Sequence, residues 1–220
     1  MHSTLVNLIE IQKKIQLKIS NQTNIVRSPK IIAVSKTHPM ENILPLINHG
    51  HLDYGENKVQ EAIEKWTEIK GQNSDVKLHL IGKLQSNKAK IAVRIFDYIH
   101  SLDNEKLAVK IADEQVKQEK KIKLFIQINI GEEDQKSGVK KKNILEFYKY
   151  CKNLNLDIIG TMCIPPVDGN SQVYFSEMNK INEKLNLSEL SMGMSEDYLE
   201  ATKNNSTFIR IGSKIFGQRN

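Results

Sequence analysis

Strand-like and helix-like segments alternate along this 220-residue chain, and that alternation constrains the fold more than any other feature. Short runs of Ile, Val, Leu and Phe between polar residues predict buried strands, and the amphipathic segments between them predict helices. About eight strand-then-helix units follow one another in this way. Strands joined through a helix run parallel, so the sequence predicts an α/β structure with a parallel sheet.

Eight units with no Pro- or Gly-rich linker between them fit a TIM-type (β/α)8 barrel, which we expect to form one domain over residues 1–220. A doubly wound sheet is the alternative, because strand order cannot be read from a sequence. An extra amphipathic helix is expected before the barrel, with one face formed by Leu5, Leu8, Ile9, Gln12, Ile15 and Ile19.

The same patterns predict the boundaries of the elements. Strands are expected at Ile31–Ser35, Leu52–Tyr54, Lys77–Ile81, Asp97–Ser101, Leu124–Ile130, Ile158–Met162, Glu189–Met192 and Phe208–Ile211. Helices are expected at Met40–His49, from near Glu56, at Gln85–Ile95, after Asp103 as the N-cap, and at Ile144–Cys151, Val173–Leu185 and Glu196–Lys203.

Composition places the chain among ordinary globular proteins, with 39% hydrophobic and 26% charged residues. No apolar run approaches the roughly 18 residues of a membrane span, and charged residues interrupt the apolar pattern that a secretory signal would need. Cys151 and Cys163 are too few and too badly placed for a disulfide framework or a metal site. We therefore expect a cytoplasmic protein with no membrane partner and no metal.

A net charge of +6 raises the question of nucleic-acid binding. The basic residues are scattered lysines in helix-like stretches such as Lys117–Lys123, and aromatic residues make up only 6% of the chain. Nucleic-acid surfaces combine clustered basic residues with aromatic stacking platforms. A solvated, lysine-rich surface is therefore the better interpretation, and no nucleic-acid partner is expected.

Lys36 has an unusual position, where the first strand meets its following loop. It lies on the same side of the strand as Ile32 and Val34, and Pro39 then suits the first residue of a helix. Partial burial lowers the pKa of an amine, and a neutral amine can attack a carbonyl to form a Schiff base. The alternative is a lysine at a strand end that only extends its amine to solvent.

Two glycine–serine segments are predicted where the last two strands end, at Ser191–Ser195 and at Gly212–Ser213. Barrel enzymes often hold phosphate in the loops after strands seven and eight. Glycine lets the backbone approach a phosphate, and serine hydroxyls add donors, although a turn that merely needs glycine explains each segment alone. An imine-forming lysine opposite a phosphate-binding loop is the combination that pyridoxal phosphate (PLP) requires.

Several motifs resemble the pyridoxal phosphate homeostasis protein (YggS/PROSC) family, whose fold is related to the barrel domain of alanine racemase. They occur in the family's order from Ile31 to Arg219. The matching stretches are Ala33–Pro39, Tyr54–Glu61, His79–Lys88, Gln127–Asn129, Lys136–Gly138, Leu190–Ser195, Arg210–Ser213 and Phe216–Gly217.

The resemblance implies a role for individual residues. Lys36 would form the internal aldimine with PLP, Arg210 would approach the pyridine nitrogen, and Asn57 would lie near the ring. The phosphate would be surrounded by Ser191, Met192, Gly193, Ser195, Gly212 and Ser213. The family often has Thr where this chain has Ser213, which keeps the hydroxyl, and Arg where it has Lys58, which removes a bidentate donor.

An arginine opposite the pyridine nitrogen has a consequence for catalysis. Because arginine is always charged and can only donate, it favours the unprotonated ring nitrogen, which makes PLP a weak electron sink. Alanine racemase also uses a tyrosine from a second domain, and this chain ends before any such domain. We therefore expect a non-catalytic protein of vitamin B6 homeostasis that is a monomer.

Three functions are compatible with these observations. The first is a PLP-binding protein that holds the cofactor on Lys36 with little or no turnover, with apo PLP enzymes as acceptors. The second is an enzyme, either a racemase-like PLP enzyme or a Schiff-base aldolase. The third is a nucleic-acid-binding module, against which the scattered lysines argue.

Overall fold

The computed structural model describes residues 1–20 and 27–218, and its strands form a closed, parallel eight-stranded barrel in chain order. The strands are β1 (Lys30–Val34), β2 (Asp53–Glu56), β3 (Lys77–Leu80), β4 (Tyr98–Leu102), β5 (Lys123–Ile128), β6 (Ile158–Cys163), β7 (Glu189–Met194) and β8 (Phe208–Ile211). β8 pairs with β1, which closes the sheet. The predicted TIM-type barrel is therefore confirmed, and the doubly wound alternative is wrong.

Helices follow the strands and cover the outside of the barrel. Those in the described residues are α1 (Ser3–Ser20), α2 (Met40–Asn48), α3 (Val59–Gln72), α4 (Ala89–Ile95), α5 (Glu105–Lys117), α6 (Ile144–Asn153), α7 (Ser171–Lys184), α8 (Tyr198–Lys203) and α9 (Ser213–Phe216). Short 3₁₀ turns at Ser86–Lys88 and Lys141–Asn143 lead into α4 and α6. Among residues 1–20 and 27–218, none of the helices has the length and hydrophobicity that crossing a bilayer requires.

The predicted N-terminal helix is present and packs against α2, α8 and α9. Its buried residues are Thr4, Leu8, Ile11 and Ile15. The predicted face was wrong at Gln12, which is exposed, and it omitted Ile11. The observed spacing of four, three and four residues follows one narrow stripe of an α-helix, which Gln12 leaves by a quarter turn.

Three predicted boundaries were wrong for reasons that the packing explains. β2 continues through Glu56, and α3 begins only at Val59. The charged Glu56 can extend the strand because its buried carboxylate accepts hydrogen bonds from Ser35 and Trp66. The N-cap of α5 is Asn104, whose side chain accepts a hydrogen bond from the Leu107 amide, and not Asp103. Pro39 is the N-cap of α2, one residue before the predicted position.

The buried apolar residues form two separate clusters. The larger one fills the layer between strands and helices and includes Leu8, Trp66, Phe96 and Phe175. The smaller one lies inside the barrel and consists of Ile32, Tyr98, Phe125, Met162 and Phe208. The side chains inside the barrel form a packed floor below the carboxyl ends of the strands, where barrel proteins place their sites.

Candidate functional site

A cavity of about 720 Å³ lies at the carboxyl end of the barrel, where the loops that follow β1, β2, β7 and β8 converge. Six of the nine predicted site residues line it, namely Lys36, Asn57, Ser195, Arg210, Gly212 and Ser213. Apolar side chains of Val34, Ile81, Ile164 and Met194 complete much of the wall. The cavity therefore combines an amine, two hydroxyls, an amide and a guanidinium in one partly apolar space.

The residues on both sides of Lys36 are anchored. Ser35 is fully buried, and its hydroxyl donates to Glu56 Oε1 at 2.7 Å. Lys65 Nζ donates to the Ser35 carbonyl at 2.8 Å and forms an ion pair with the same Glu56 oxygen. The Thr37 amide donates to a carboxylate of α3, that of Glu61. Lys36 thus begins from a fixed backbone, and its half-buried side chain lines the cavity.

Thr37 also turns the chain sharply after Lys36. Its φ is +65°, in the left-handed region that non-glycine residues rarely adopt. Such strained backbone persists only where the surrounding structure enforces it, and here the amide of Thr37 is held by Glu61. The turn lies between Lys36, which follows β1, and helix α2.

Asn57 reaches the cavity because a glycine stands behind it. A Cβ at Gly82 would lie 2.3 Å from the Asn57 carbonyl oxygen, which is far too close for any other residue. Gly82 follows β3 and therefore lets the loop after β2 pack against the loop after β3. This close approach fixes Asn57 on the side of the cavity that also holds Ile81.

The two serine-containing loops meet at the cavity wall. The Lys214 amide lies 3.5 Å from Ser195 Oγ, which joins the loop after β7 to the start of α9. The Met194 amide donates to Asp197 Oδ1 at 2.6 Å and shapes the loop that carries Ser195. Ser195 and Ser213, together with the backbone at Gly212, provide the hydroxyl and amide donors that a phosphate requires.

Arg210 comes from β8 and is almost completely buried at the cavity floor. Its Nη1 donates to Ser191 Oγ at 2.6 Å, and its Nη2 donates to the Cys163 carbonyl at 2.8 Å. Burial lowers the pKa of the guanidinium from its ordinary value, but that value is high enough for Arg210 to keep its charge. A fixed cation therefore lies beneath the cavity.

Three predicted site residues lie elsewhere, because β7 runs to Met194 and includes all three. Ser191 is fully buried inside the barrel, and Met192 belongs to the cluster between strands and helices. Gly193 has a φ of +90°, and a Cβ there would lie 2.5 Å from Cβ of Ala201 in α8. Its lack of a side chain serves the packing of α8, and the prediction that these residues form the loop was wrong.

Sequence reasoning also missed residues that bear on the site. Met194 lines the cavity, as do Ile164, Pro165 and Pro166 in the loop after β6. Beneath the cavity, His79 and His100 are completely buried inside the barrel. Each histidine occurs in a predicted strand, where alternate residues face the inside of the barrel. A polar residue at an inward-facing position was the signal in the sequence that could have identified it.

The donor set fits PLP. Lys36 offers the amine that an aldehyde needs, the two serine hydroxyls suit the phosphate, and Arg210 offers a donor for a ring nitrogen. Within the described ranges, His, Cys, Asp and Glu side chains do not gather in the groups of three that could hold a metal ion. A second cavity of about 580 Å³ at the amino-terminal end of the barrel lacks this combination of groups.

Comparison with known proteins identifies relatives that are named for pyridoxal phosphate. The family profile named "Alanine racemase, N-terminal domain" matches residues 12–220. A pyridoxal phosphate homeostasis protein of Pasteurella multocida is 37% identical over 97% of this chain and 96% of its own length. One of Escherichia coli is 31% identical over 100% of this chain and 98% of its own length.

Solved structures of similar proteins agree with the sequence comparisons. PipY of Synechococcus elongatus PCC7942, solved with PLP bound, has a TM-score of 0.81 and 33% identity, covering 93% of this chain and all of that one. Alanine racemase of Acinetobacter baumannii, at 17% identity and a TM-score of 0.66, shares the fold over 94% of this chain and 62% of its own.

Proposed function

The chain belongs to the alanine racemase N-terminal domain family and, within it, to the pyridoxal phosphate homeostasis proteins, and from this we propose that it binds pyridoxal 5'-phosphate and serves intracellular vitamin B6 homeostasis. One observation carries the proposal. Lys36, the hydroxyls of Ser195 and Ser213, and Arg210 line the same cavity at the carboxyl end of one barrel. PipY, a relative with 33% identity, was solved with PLP bound.

Lys36 is proposed as the covalent anchor. Its Nζ would condense with the aldehyde of PLP and release water, which leaves a Schiff base on the lysine. The anchored neighbours Ser35 and Thr37 support this role, because they fix the backbone from which the side chain extends. The phosphate is proposed to contact Ser195, Gly212 and Ser213, and Asn57 to lie beside the ring.

Borohydride reduction of the purified protein with PLP tests the anchor. The reductant converts the imine into a stable amine, and peptide mapping then locates the phosphopyridoxyl group. We expect one modified lysine, Lys36, and complete loss of the modification in Lys36→Ala. Lys83→Ala is the matched control, since Lys83 follows Gly82 in the loop after β3 but is exposed and lies outside the cavity lining. Modification of another lysine, or of none, would contradict the proposal.

We further propose that the bound cofactor turns over little or no substrate. Arg210 is a buried cation that can only donate, so a ring nitrogen facing it stays unprotonated and stabilises a carbanion poorly. The test is a racemisation assay with free amino acids, in wild type and Lys36→Ala. Steady turnover that depends on Lys36 would instead support a racemase-like enzyme. Alanine racemase, whose fold this chain shares, is the reason for testing that alternative.

Apo PLP enzymes are the proposed acceptors of the cofactor. Mixing the PLP-loaded protein with an apo aminotransferase tests this, because recovery of aminotransferase activity can be compared with recovery from free PLP. Faster recovery than an equal concentration of free PLP supports transfer, and recovery limited by spontaneous release supports buffering of the free aldehyde.

A further inference from the structure

A row of polar side chains crosses the interior of the barrel from its amino-terminal end to the cavity. Asp53 Oδ1 lies 2.9 Å from His79 Nε2, and His79 Nδ1 lies 3.0 Å from His100 Nε2. His100 Nδ1 lies 2.9 Å from Ser191 Oγ, which accepts from Arg210 Nη1 at 2.6 Å. Four consecutive hydrogen bonds thus connect a carboxylate at one end of the barrel with the guanidinium at the other.

The two ends of this row determine where its protons lie. An ionised Asp53 can only accept, so His79 must donate from Nε2. Neutral His79 then accepts at Nδ1 from Nε2–H of His100, and neutral His100 accepts at Nδ1 from the Ser191 hydroxyl. Arg210 can only donate, which leaves the Ser191 oxygen as its acceptor. Every bond therefore points the same way, from Arg210 towards Asp53.

The electrostatics of the groups agree with this arrangement. Burial opposes ionisation of Asp53, but the hydrogen bond from His79 and the charge of Lys30 act against it, and the pKa of Asp53 is lowered. Burial lowers the pKa of His79, and it lowers the pKa of His100 further, with His79 and Arg210 adding to the effect. Both imidazoles are therefore neutral at pH 7.

Aromatic neighbours hold the two imidazole rings in place. His79 stacks on Tyr98 with ring centroids 4.3 Å apart, and His100 stacks on Phe125 at 4.2 Å. Phe208 packs at an angle against both rings. Because each ring is fixed in orientation by its neighbours, the donors and acceptors stay aligned along the row.

We infer that Ser191, His100, His79 and Asp53 are positioning residues that hold Arg210 in one orientation beneath the cavity. The inference rests on the proposed PLP site and adds to it His100, His79 and Asp53, which the sequence did not connect with it. Ser191 and the Cys163 carbonyl occupy two of the five guanidinium N–H groups. The predicted phosphate ligand Ser191 thus acts through Arg210 instead.

The first test reads the proton positions without PLP. Long-range ¹H–¹⁵N correlation spectra of the unliganded protein distinguish the two neutral tautomers and the charged form of each histidine. We expect His79 and His100 to be neutral at pH 7 and to carry the proton on Nε2, with assignment from single-histidine variants. A charged ring or an Nδ1–H tautomer at either position would overturn the inference.

The second test uses variants that separate hydrogen bonding from packing. Ser191→Ala removes the acceptor of Arg210, and His100→Phe keeps a ring but interrupts the row. We expect each to weaken PLP binding about tenfold, the effect of losing a hydrogen bond to a charged group, and to shift the absorbance band of bound PLP. His100→Gln can still donate and accept, so it should restore affinity and spectrum.

Phe125→Leu is the packing control, because it alters the stacked neighbour of His100 and leaves the row intact. The inference is overturned if Phe125→Leu weakens binding as much as His100→Phe, or if His100→Gln behaves like His100→Phe. Failure of the PLP site itself looks different: wild type would then give no borohydride-trapped adduct on Lys36, while the histidine tautomers would remain as expected.

Discussion

The inside of the barrel and the layer between its strands and helices are both buried, but they differ in composition. The outer layer is a continuous apolar cluster with large side chains such as Trp66, Phe96 and Phe175. The interior holds a small apolar cluster and, beside it, the row of hydrogen-bonded polar groups from Asp53 to Arg210. The outer layer therefore supplies most of the stability, and the interior sets the chemistry of the cavity.

Buried charged groups occur in both regions, but the groups that neutralise or hydrogen-bond them differ. In the outer layer, the Glu56 carboxylate accepts hydrogen bonds at one oxygen from Ser35 and Trp66 and pairs with Lys65. That cluster is compact and anchors the backbone beside Lys36. In the interior, the charges of Arg210 and Asp53 lie at opposite ends of a row, so neutral groups must connect them.

The largest effect on stability is expected from Phe175→Ala in the outer layer. Phe175 is fully buried on α7, and truncation of a buried phenylalanine costs about 3–5 kcal/mol of unfolding free energy. Denaturant unfolding measures this loss. Because Phe175 does not line the cavity, the folded fraction should still form the borohydride-trapped adduct on Lys36.

Val173→Ala is the matched control on the same helix. Val173 is 64% exposed, and substitutions at such positions usually change the unfolding free energy by no more than about 0.5 kcal/mol. A loss of PLP binding in folded Phe175→Ala protein would break the separation between the two regions, since it would connect the outer layer with the cavity chemistry.

A smaller effect is expected from acid, and it should arise in the interior. Burial lowers the pKa of His79 and of His100 in the folded state, while unfolded histidine has a pKa near 6.5. The unfolded state therefore binds protons first as the pH falls. The contribution of the two neutral histidines to stability is complete above about pH 6.5 and decreases below it. Each histidine adds a slope of up to about 1.4 kcal/mol per pH unit.

Denaturant unfolding at pH 7.5 and pH 5.5 measures this slope. Asp53 follows the same direction at lower pH, because its pKa is lowered and its contribution is lost as the pH falls through the folded value. The charges that act on His79 come from Asp53, Asp97 and Lys30, and those on His100 come from His79 and Arg210. His100→Gln should reduce the slope, whereas Phe175→Ala should leave it unchanged. An unchanged slope in His100→Gln would show that His100 binds equally many protons in the folded and unfolded states.

Much of the outer layer could be predicted from the sequence, because it depends on local hydrophobic periodicity. β8 was predicted to the residue, and the strand-end position of Lys36 led to the cavity. The extent of β7 could not be predicted in this way. In the sequence Gly193 suggests a loop, but in the structure it continues the strand. A glycine is needed there because a side chain would collide with Ala201, eight residues on, and the sequence does not show that contact.

The row beneath the cavity could not be predicted for a related reason. His79, His100, Ser191 and Arg210 lie on four different strands, and their hydrogen bonds depend on the register and closure of the whole barrel. In the sequence each appears only as a polar residue within a largely apolar strand. Local patterns identify such residues as exceptions, but only the fold connects them.

The smallest effect is expected at the N-terminus of α5, where sequence and structure assign different caps. The Asn104 side chain accepts a hydrogen bond from the Leu107 amide at 2.9 Å, so Asn104→Ala should cost about 1 kcal/mol of unfolding free energy. Asp103 instead accepts at the surface from the side-chain Nδ2 of Asn104, and Asp103→Ala should cost less. Neither variant should alter the adduct on Lys36, because both positions are outside the cavity lining. Equal losses in the two variants would mean that Asp103 supports the cap through Asn104, and a change in PLP binding would extend the influence of the outer layer to the site.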